Sequence, residues 1–375
     1  MNIRPQHDRV DGELFARRRL RATNLGLRRV AFLWALLAGC GGGLASSACA
    51  ATAATPDAKP KDPSAPTAKL LFKTNFGAGV TLAAPSSMSS TASWQDLKGT
   101  DAQTGFSFPV SALGSDRTGL QLIGAHRMTG AALRTDNLNE YFGNELRTTT
   151  GPDGKPASEI FFNLRKKDEP VGKGGSQIPL MINRPSTIGD TGDVYISYWF
   201  KHRADLAAQL DHKVSAGNWR VQFEFKTGGF KDPAKGKEAY AGDYRISTTI
   251  LKSKDEGKLY WRSKGDNSAN MESFMPGWKR VTYWTVENDT VPVPVGEWFK
   301  FEVFWHRSNG SDGRYWAAVN GQVIADHLGP NMGEYNLPIT RIMVTNVYTG
   351  GYGPVQGEMT GLEIDKYVKE NKIKD

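Results

Sequence analysis

The chain predicts an all-β domain, a jelly roll of two facing antiparallel sheets, behind an export leader and a tether. Three observations carry this. Apolar residues recur at period two, Asn-Gly and Asp-Gly turn pairs fall between the runs, and helical periodicity is nearly absent. Many strands with little helix bury their apolar faces only in a sandwich or a barrel, and a body of about 305 residues suits one large two-sheet domain.

The elements follow in chain order. Arg28 and Arg29 precede a short apolar run, residues 30–39, that ends in Leu37-Ala38-Gly39-Cys40. A positive start, a brief apolar stretch and a small-residue stop read as an export signal, and the run is far short of the ~20 residues of a membrane span. Leu-Ala-Gly-Cys resembles the bacterial lipobox, which implies lipidation of Cys40. An ordinary signal peptide cut after Ala48-Cys49-Ala50 is the alternative. The expected location is therefore the periplasm or outer membrane as a lipoprotein, or the medium as a secreted form, with any membrane contact made only through the lipid anchor. Residues 41–68 are rich in Ala, Gly, Pro, Ser and Thr without periodicity, the composition of a flexible tether. The domain then runs from 69 to 375.

Within it, residues 219–226 (WRVQFEFK) place Trp219, Val221, Phe223 and Phe225 on one face and Arg220, Gln222, Glu224 and Lys226 on the other. Residues 300–306 turn Phe301, Val303 and Trp305 inward. Residues 194–200, 280–286, 341–348 and 362–365 are further strands. Turns are expected at Pro152-Asp153-Gly154, Asn309-Gly310, Asp312-Gly313, Asn320-Gly321 and Gly350-Gly351. A helical turn or two is expected at 204–210, and a short terminal helix at 365–374.

Charge and cysteine bound the function. Eight arginines and three acids lie in residues 1–39, so the mature chain carries 39 basic and 36 acidic residues, a net of +3 rather than +8. That small, scattered excess argues against nucleic acid and suits an anionic substrate. The body has no cysteine, hence no disulfide, thiolate nucleophile or cysteine metal site, and its histidines are too scattered for a metal cluster. No cofactor is expected, and the expected state is a monomer. Of the tryptophans, Trp199, Trp219, Trp261, Trp278, Trp284, Trp298, Trp305 and Trp316 fall among the strands; most belong in the core, and any on a concave face would stack on pyranose rings.

Residues 296–305 (GEWFKFEVFW) and 313–324 (GRYWAAVNGQVI) resemble a recurring piece of concanavalin-like jelly rolls. That fold hosts lectins, glucanases and lyases alike. Asn144-Glu-Leu-Arg147 resembles the "R-x-E-L-R" strand of jelly-roll polysaccharide lyases, the alginate lyase and heparin lyase-like families, with Gly143 where the pattern has its leading Arg. The nearest match to their "Q-I-H" strand is Val221-Gln222-Phe223-Glu224, without the His. Asn346-Val-Tyr-Thr-Gly-Gly-Tyr352 is similar to their tyrosine-bearing last strand. The resemblance implies β-elimination on an acidic, uronate-containing polysaccharide. That chemistry needs a group to neutralise the carboxylate, a base for the adjacent C–H and an acid for the leaving oxygen.

The catalytic candidates are Arg147, His306, Tyr348 and Tyr352, and the binding candidates Glu145, Gln222, Lys226 and Asn346. Each has a plainer reading. Arg147 and Glu145 could simply pair on one strand face, Gln222 and Lys226 could be solvated sheet residues, His306 could be structural, and the tyrosines could pack. The alternative function is a non-catalytic, lectin-like surface lipoprotein. Hydrolysis is less supported, because Glu363-Ile-Asp365 is followed by Val368 where a retaining glucanase strand has a second Glu.

Overall fold

A computed structural model describes residues 67–89, 92–123, 138–141, 143–165, 179–183, 193–210, 219–228, 230–231, 238–239, 242–267, 277–349 and 355–368. The expected sandwich is present. The smaller sheet runs, in spatial order, through β19 (Gln322–Leu328), β18 (Arg314–Val319), β17 (Trp298–His306), β10 (Asp193–His202), β21 (Val355–Val368), β8 (Pro156–Leu164) and β7 (Glu145–Thr150). Its eighth strand, β1 (Thr67–Thr74), pairs with the end of β21. The larger sheet runs through β16 (Thr282–Asn288), β15 (Leu259–Asp266), β14 (Arg245–Lys252), β11 (Trp219–Thr227), β20 (Ile339–Thr349), β9 (Pro179–Asn183), β6 (Arg117–Ile123), β4 (Ala92–Thr100) and β2 (Val80–Leu82). Two short strands, β3 (Ser86–Ser89) and β5 (Ser107–Phe108), pair with β4. A separate ribbon joins β12 (Phe230–Lys231) to β13 (Glu238–Ala239).

The two sheets meet over an aromatic interior. Tyr198, Phe200, Phe299, Phe301 and Trp305 of the smaller sheet face Phe223, Phe225, Ile246, Ile250 and Trp261 of the larger. Trp261 and Trp305 are fully buried, each side chain contributing upwards of about 2 kcal/mol by removal from water. Hydrogen bonds cross this interior. The Tyr198 hydroxyl donates to the Gln222 carbonyl at 3.1 Å, and the Tyr315 hydroxyl lies 2.6 Å from that of Thr248. These bonds fix how one sheet sits on the other and satisfy polar groups that burial would otherwise strand.

The hairpin joining β18 to β19 turns at Asn320-Gly321, both with positive φ (49° and 76°), as a two-residue primed turn requires. The helical turn expected at 204–210 is a single one, α1 (Leu206–Gln209). The expected terminal helix is replaced, at its start, by strand. Asp365 pairs with Leu70 on one side and Tyr195 on the other, so ladder hydrogen bonds on both flanks override any helical tendency there. The expected face of Gln222 is also corrected. A bulge between Val221 and Phe223 puts one extra residue on β11, so Arg220 and Gln222 turn into the interior while Glu224 and Lys226 stay outside.

Candidate active site

The outer face of the larger sheet, turned away from the smaller one, carries an ordered set of charges. Residues directly opposite in a ladder project from the same face. Asp266 is paired with Arg245, Arg245 with Lys226, and Lys226 with Arg341. Arg341 is paired with Asn183, and Asn183 with Arg117. One rank therefore crosses six strands. The next rank, two residues along each strand, holds Lys264, Ser247, Glu224, Met343, Met181, Gly119 and Asp96.

Ion pairs knit the ranks together. Arg245 grips Asp266 with two bonds, 2.7 and 2.8 Å, and reaches Glu224 at 3.5 Å. Lys264 lies 2.8 Å from Asp266, Arg280 3.7 Å from the same carboxylate, and Lys226 3.4 Å from Glu224. At the far end Arg117 holds Asp96 at 2.7 Å and stacks over Trp94, whose indole N–H donates to Asp96 at 2.6 Å. Trp94, Met181 and Met343 form a small apolar floor between the two ends. Among the described residues of the two ranks, five cations, Arg117, Lys226, Arg245, Lys264 and Arg341, face three carboxylates, Asp96, Glu224 and Asp266, and the flanks add one charge of each sign, Arg280 beside Asp266 and Asp116 bonded to Asn183 at 3.2 Å. The unbalanced positive charge suits a polyanion.

The protonation states follow from the surroundings. Burial lowers the pKa of Lys226, with only 17% of its side chain exposed; Glu224 opposes the shift, and Arg341 and Arg245 add to it. Lys264 is lowered in the same way, chiefly by burial against the pull of Asp266. Asp266 stays below the usual carboxylate range because its bonds to Arg245 and Lys264 outweigh its burial. Lys226 thus sits between two guanidiniums in a partly dry site, and its neutral amine is brought within easier reach.

The residues expected from sequence divide between the two sheets. Arg147 and Glu145 lie on β7 at the edge of the smaller sheet, 3.8 Å apart. Arg147 also binds Glu159, meets Glu358 at 3.2 Å and stacks over Phe161 at 3.7 Å. It is consumed by carboxylates of its own sheet. His306, on the outer side of β17, sits between Asp193 and Asp312, the latter at 3.3 Å. Gln222 is 1% exposed and bonded to His202 and Tyr198. Asn346 and Tyr348 occupy β20, opposite Pro179 and Val221 respectively, and are placed here by their backbone alone. Tyr352 and Cys40 lie outside the described residues. Of the residues singled out by sequence, Lys226 is thus the one that joins the charged ranks, and β11 and β20 bring it beside Arg341. Arg147 and His306 are not brought to it.

Sequence reasoning missed Arg117, Glu224, Arg245, Lys264, Asp266 and Arg341 as site residues. One signal was visible: charged residues at alternate positions, as in Arg262, Lys264 and Asp266, mark the outer side of a strand.

No family model and no curated protein matches the sequence significantly. Solved structures similar to the chain include alginate lyase Aly36B, with 15% identity, 60% of this chain and 85% of that one covered, and a TM-score of 0.36. The endo-β-1,4-glucuronan lyase of the fungus Trichoderma reesei is similar at 10% identity over 60% of this chain and 90% of that one, TM-score 0.40. Alginate lyase vAL-1 from Chlorella virus follows at 12% identity, 63% and 98% covered, TM-score 0.34. What the site can do has to be read from its own residues.

Proposed function

We propose that the protein is a polysaccharide lyase that cleaves an acidic, uronate-containing polysaccharide by β-elimination on the outer face of the larger sheet. The observation that carries this reading is Lys226, depressed in pKa and flanked in one rank by Arg245 and Arg341. A guanidinium on either side can neutralise the uronate carboxylate and so acidify its C5 hydrogen. The neutral amine of Lys226 takes that proton. The C–H electron pair forms the C4=C5 double bond, and the C4–O bond breaks with its electrons on oxygen.

Tyr348, one of the catalytic candidates, is opposite Val221, five residues along β11 from Lys226 and so roughly 15 Å away. That is too far to serve the same glycosidic bond. In this reading Lys226 returns its proton to the leaving oxygen, which restricts the substrate to uronates whose C5 hydrogen and C4 oxygen share one ring face. In the same proposal the domain is exported and held at a membrane by lipid on Cys40, which fatty-acid labelling of cells against a Cys40→Ala control tests.

The deciding experiment incubates the mature protein with alginate, glucuronan, heparin-type and pectic polymers while following the ultraviolet absorbance of the unsaturated product. Turnover of at least one polymer is expected, reduced on the order of a hundredfold or more in Lys226→Met, the scale of a lost general base. A flat trace for the wild type beside measurable glycan binding overturns the lyase in favour of a carbohydrate-binding protein.

A further inference from the structure

At the β15–β16 end of the charged ranks the surface changes from ionic to aromatic. Tyr283 and Tyr335 are 47% and 39% exposed, and Val281, two residues before Tyr283, is 43% exposed. The ring of Trp278 lies 6.1 Å from that of Tyr335. Its indole N–H is buried and has no hydrogen-bond partner among the described residues. The Tyr283 ring stacks at 5.6 Å on the wholly buried Tyr244, whose hydroxyl accepts from the Trp284 indole at 2.7 Å.

The backbone is held as firmly as the rings. The Asn267 side chain donates to the Lys279 carbonyl at 2.6 Å and accepts from the Val281 N–H at 2.7 Å. The Tyr335 N–H donates to Asp243 at 2.7 Å. The patch continues into the ranks: Thr282, next to Tyr283, is the ladder partner of Asp266, and Arg280 reaches the same carboxylate at 3.7 Å.

We infer that Tyr283, Tyr335 and Trp278 form a sugar-binding subsite that takes the ring face of a pyranose unit lying beyond the charged stretch of the chain. This rests on the lyase reading for the identity of the polymer and adds to it a contact that does not depend on charge. A pyranose presents an apolar face of C–H groups rimmed by hydroxyls. Backed, part-exposed aromatic rings match that face. The rings are already fixed by their packing, so little order is lost on binding. The subsite distinguishes ring shape, whereas the ranks distinguish charge.

The test measures binding of oligoglucuronates and of neutral β-1,4-gluco-oligosaccharides by calorimetry, at low and high salt. Wild type, Tyr283→Ala, Tyr335→Ala and Tyr283→Phe are compared, with melting temperatures as a check on folding. Tyr283→Ala and Tyr335→Ala are expected to weaken both ligands about tenfold, with a loss that persists at high salt, while Tyr283→Phe retains most of the affinity. Unchanged affinity in both alanine variants overturns the subsite, as does a wild type that binds neither ligand. If neutral oligosaccharides bind through Tyr283 while no acidic polymer is bound or cleaved, the subsite stands and the lyase reading falls.

Discussion

His202 and Gln222 meet between the sheets: the imidazole Nε2 of β10 lies 2.8 Å from the amide Oε1 of β11. Burial, helped by the charge of Arg220, pushes the histidine down to about 3, so the ring is neutral and its Nε2–H is the donor. The Gln222 amide in turn donates to the Tyr198 hydroxyl at 3.2 Å.

Gln222→Leu leaves the imidazole N–H without its partner and the tyrosine hydroxyl without one of its bonds. The expected loss is about 2–3 kcal/mol in urea unfolding, with turnover of the polymer unchanged in the protein that remains folded. A loss of turnover at full stability contradicts the interior role.

Two buried groups give stability a flat-topped pH profile. His202 falls from 6.5 to about 3, so between those values the unfolded chain binds the extra proton and stability rises with pH. Glu159 is lifted by burial from 4.5 to about 7, against Arg147 and with Glu358, so between those values the native state binds the extra proton and stability falls. The opposing slopes should largely cancel through the mid-acid range, leaving a rise at the acid end where only His202 acts. Each slope approaches ~1.4 kcal/mol per pH unit. Glu159→Gln should extend the rise to pH 6.5, and His202→Gln should leave only the fall. Superimposable profiles for wild type and Glu159→Gln refute the assignment.

Arg147→Ala removes the cation shared by Glu145, Glu159 and Glu358. The site is neither fully buried nor fully exposed, and the expected cost is about 2 kcal/mol, between the values for those two cases. Acidic-polymer binding should be unaltered, because Arg147 lies on the sheet opposite Lys226. A drop in affinity without a drop in melting temperature reverses that conclusion.

As a base, Lys226 acts when neutral, so kcat/KM should climb with pH to a plateau whose midpoint lies below the ordinary lysine value. Glu224 favours the ammonium form, so Glu224→Gln should shift that midpoint to lower pH. A shift upward, or none, excludes Lys226 as the titrating group.

Gly265→Ala tests the support under Tyr283. A Cβ there would fall on the Trp284 indole nitrogen and the Tyr244 hydroxyl, the two atoms of one hydrogen bond. Overpacking should cost about 1–3 kcal/mol and weaken neutral-sugar binding with it. Unchanged stability shows that the pair can move aside.

The sandwich was legible because period two survives in single strands and Asn320-Gly321 needs no distant partner. The site was not, because it is made by register. Lys226, Arg341, Arg245 and Asp266 become neighbours only when four strands are aligned, and nothing local in β7 or β11 says that they belong to different sheets. The bulge at Val221 and Phe223 defeats simple alternation in the same way. It turns Gln222 inward, where the histidine missing from its own strand is supplied by β10.

The rank that runs from Asp266 to Arg117 has a pitch that side-chain evolution cannot adjust. Neighbouring positions are one strand apart, a step of about 4.8 Å set by backbone hydrogen bonds. The face is therefore a ruler with fixed divisions, on which only the sign at each mark can change. A variant made to accept a different glycan would keep the spacing and rewrite the charges.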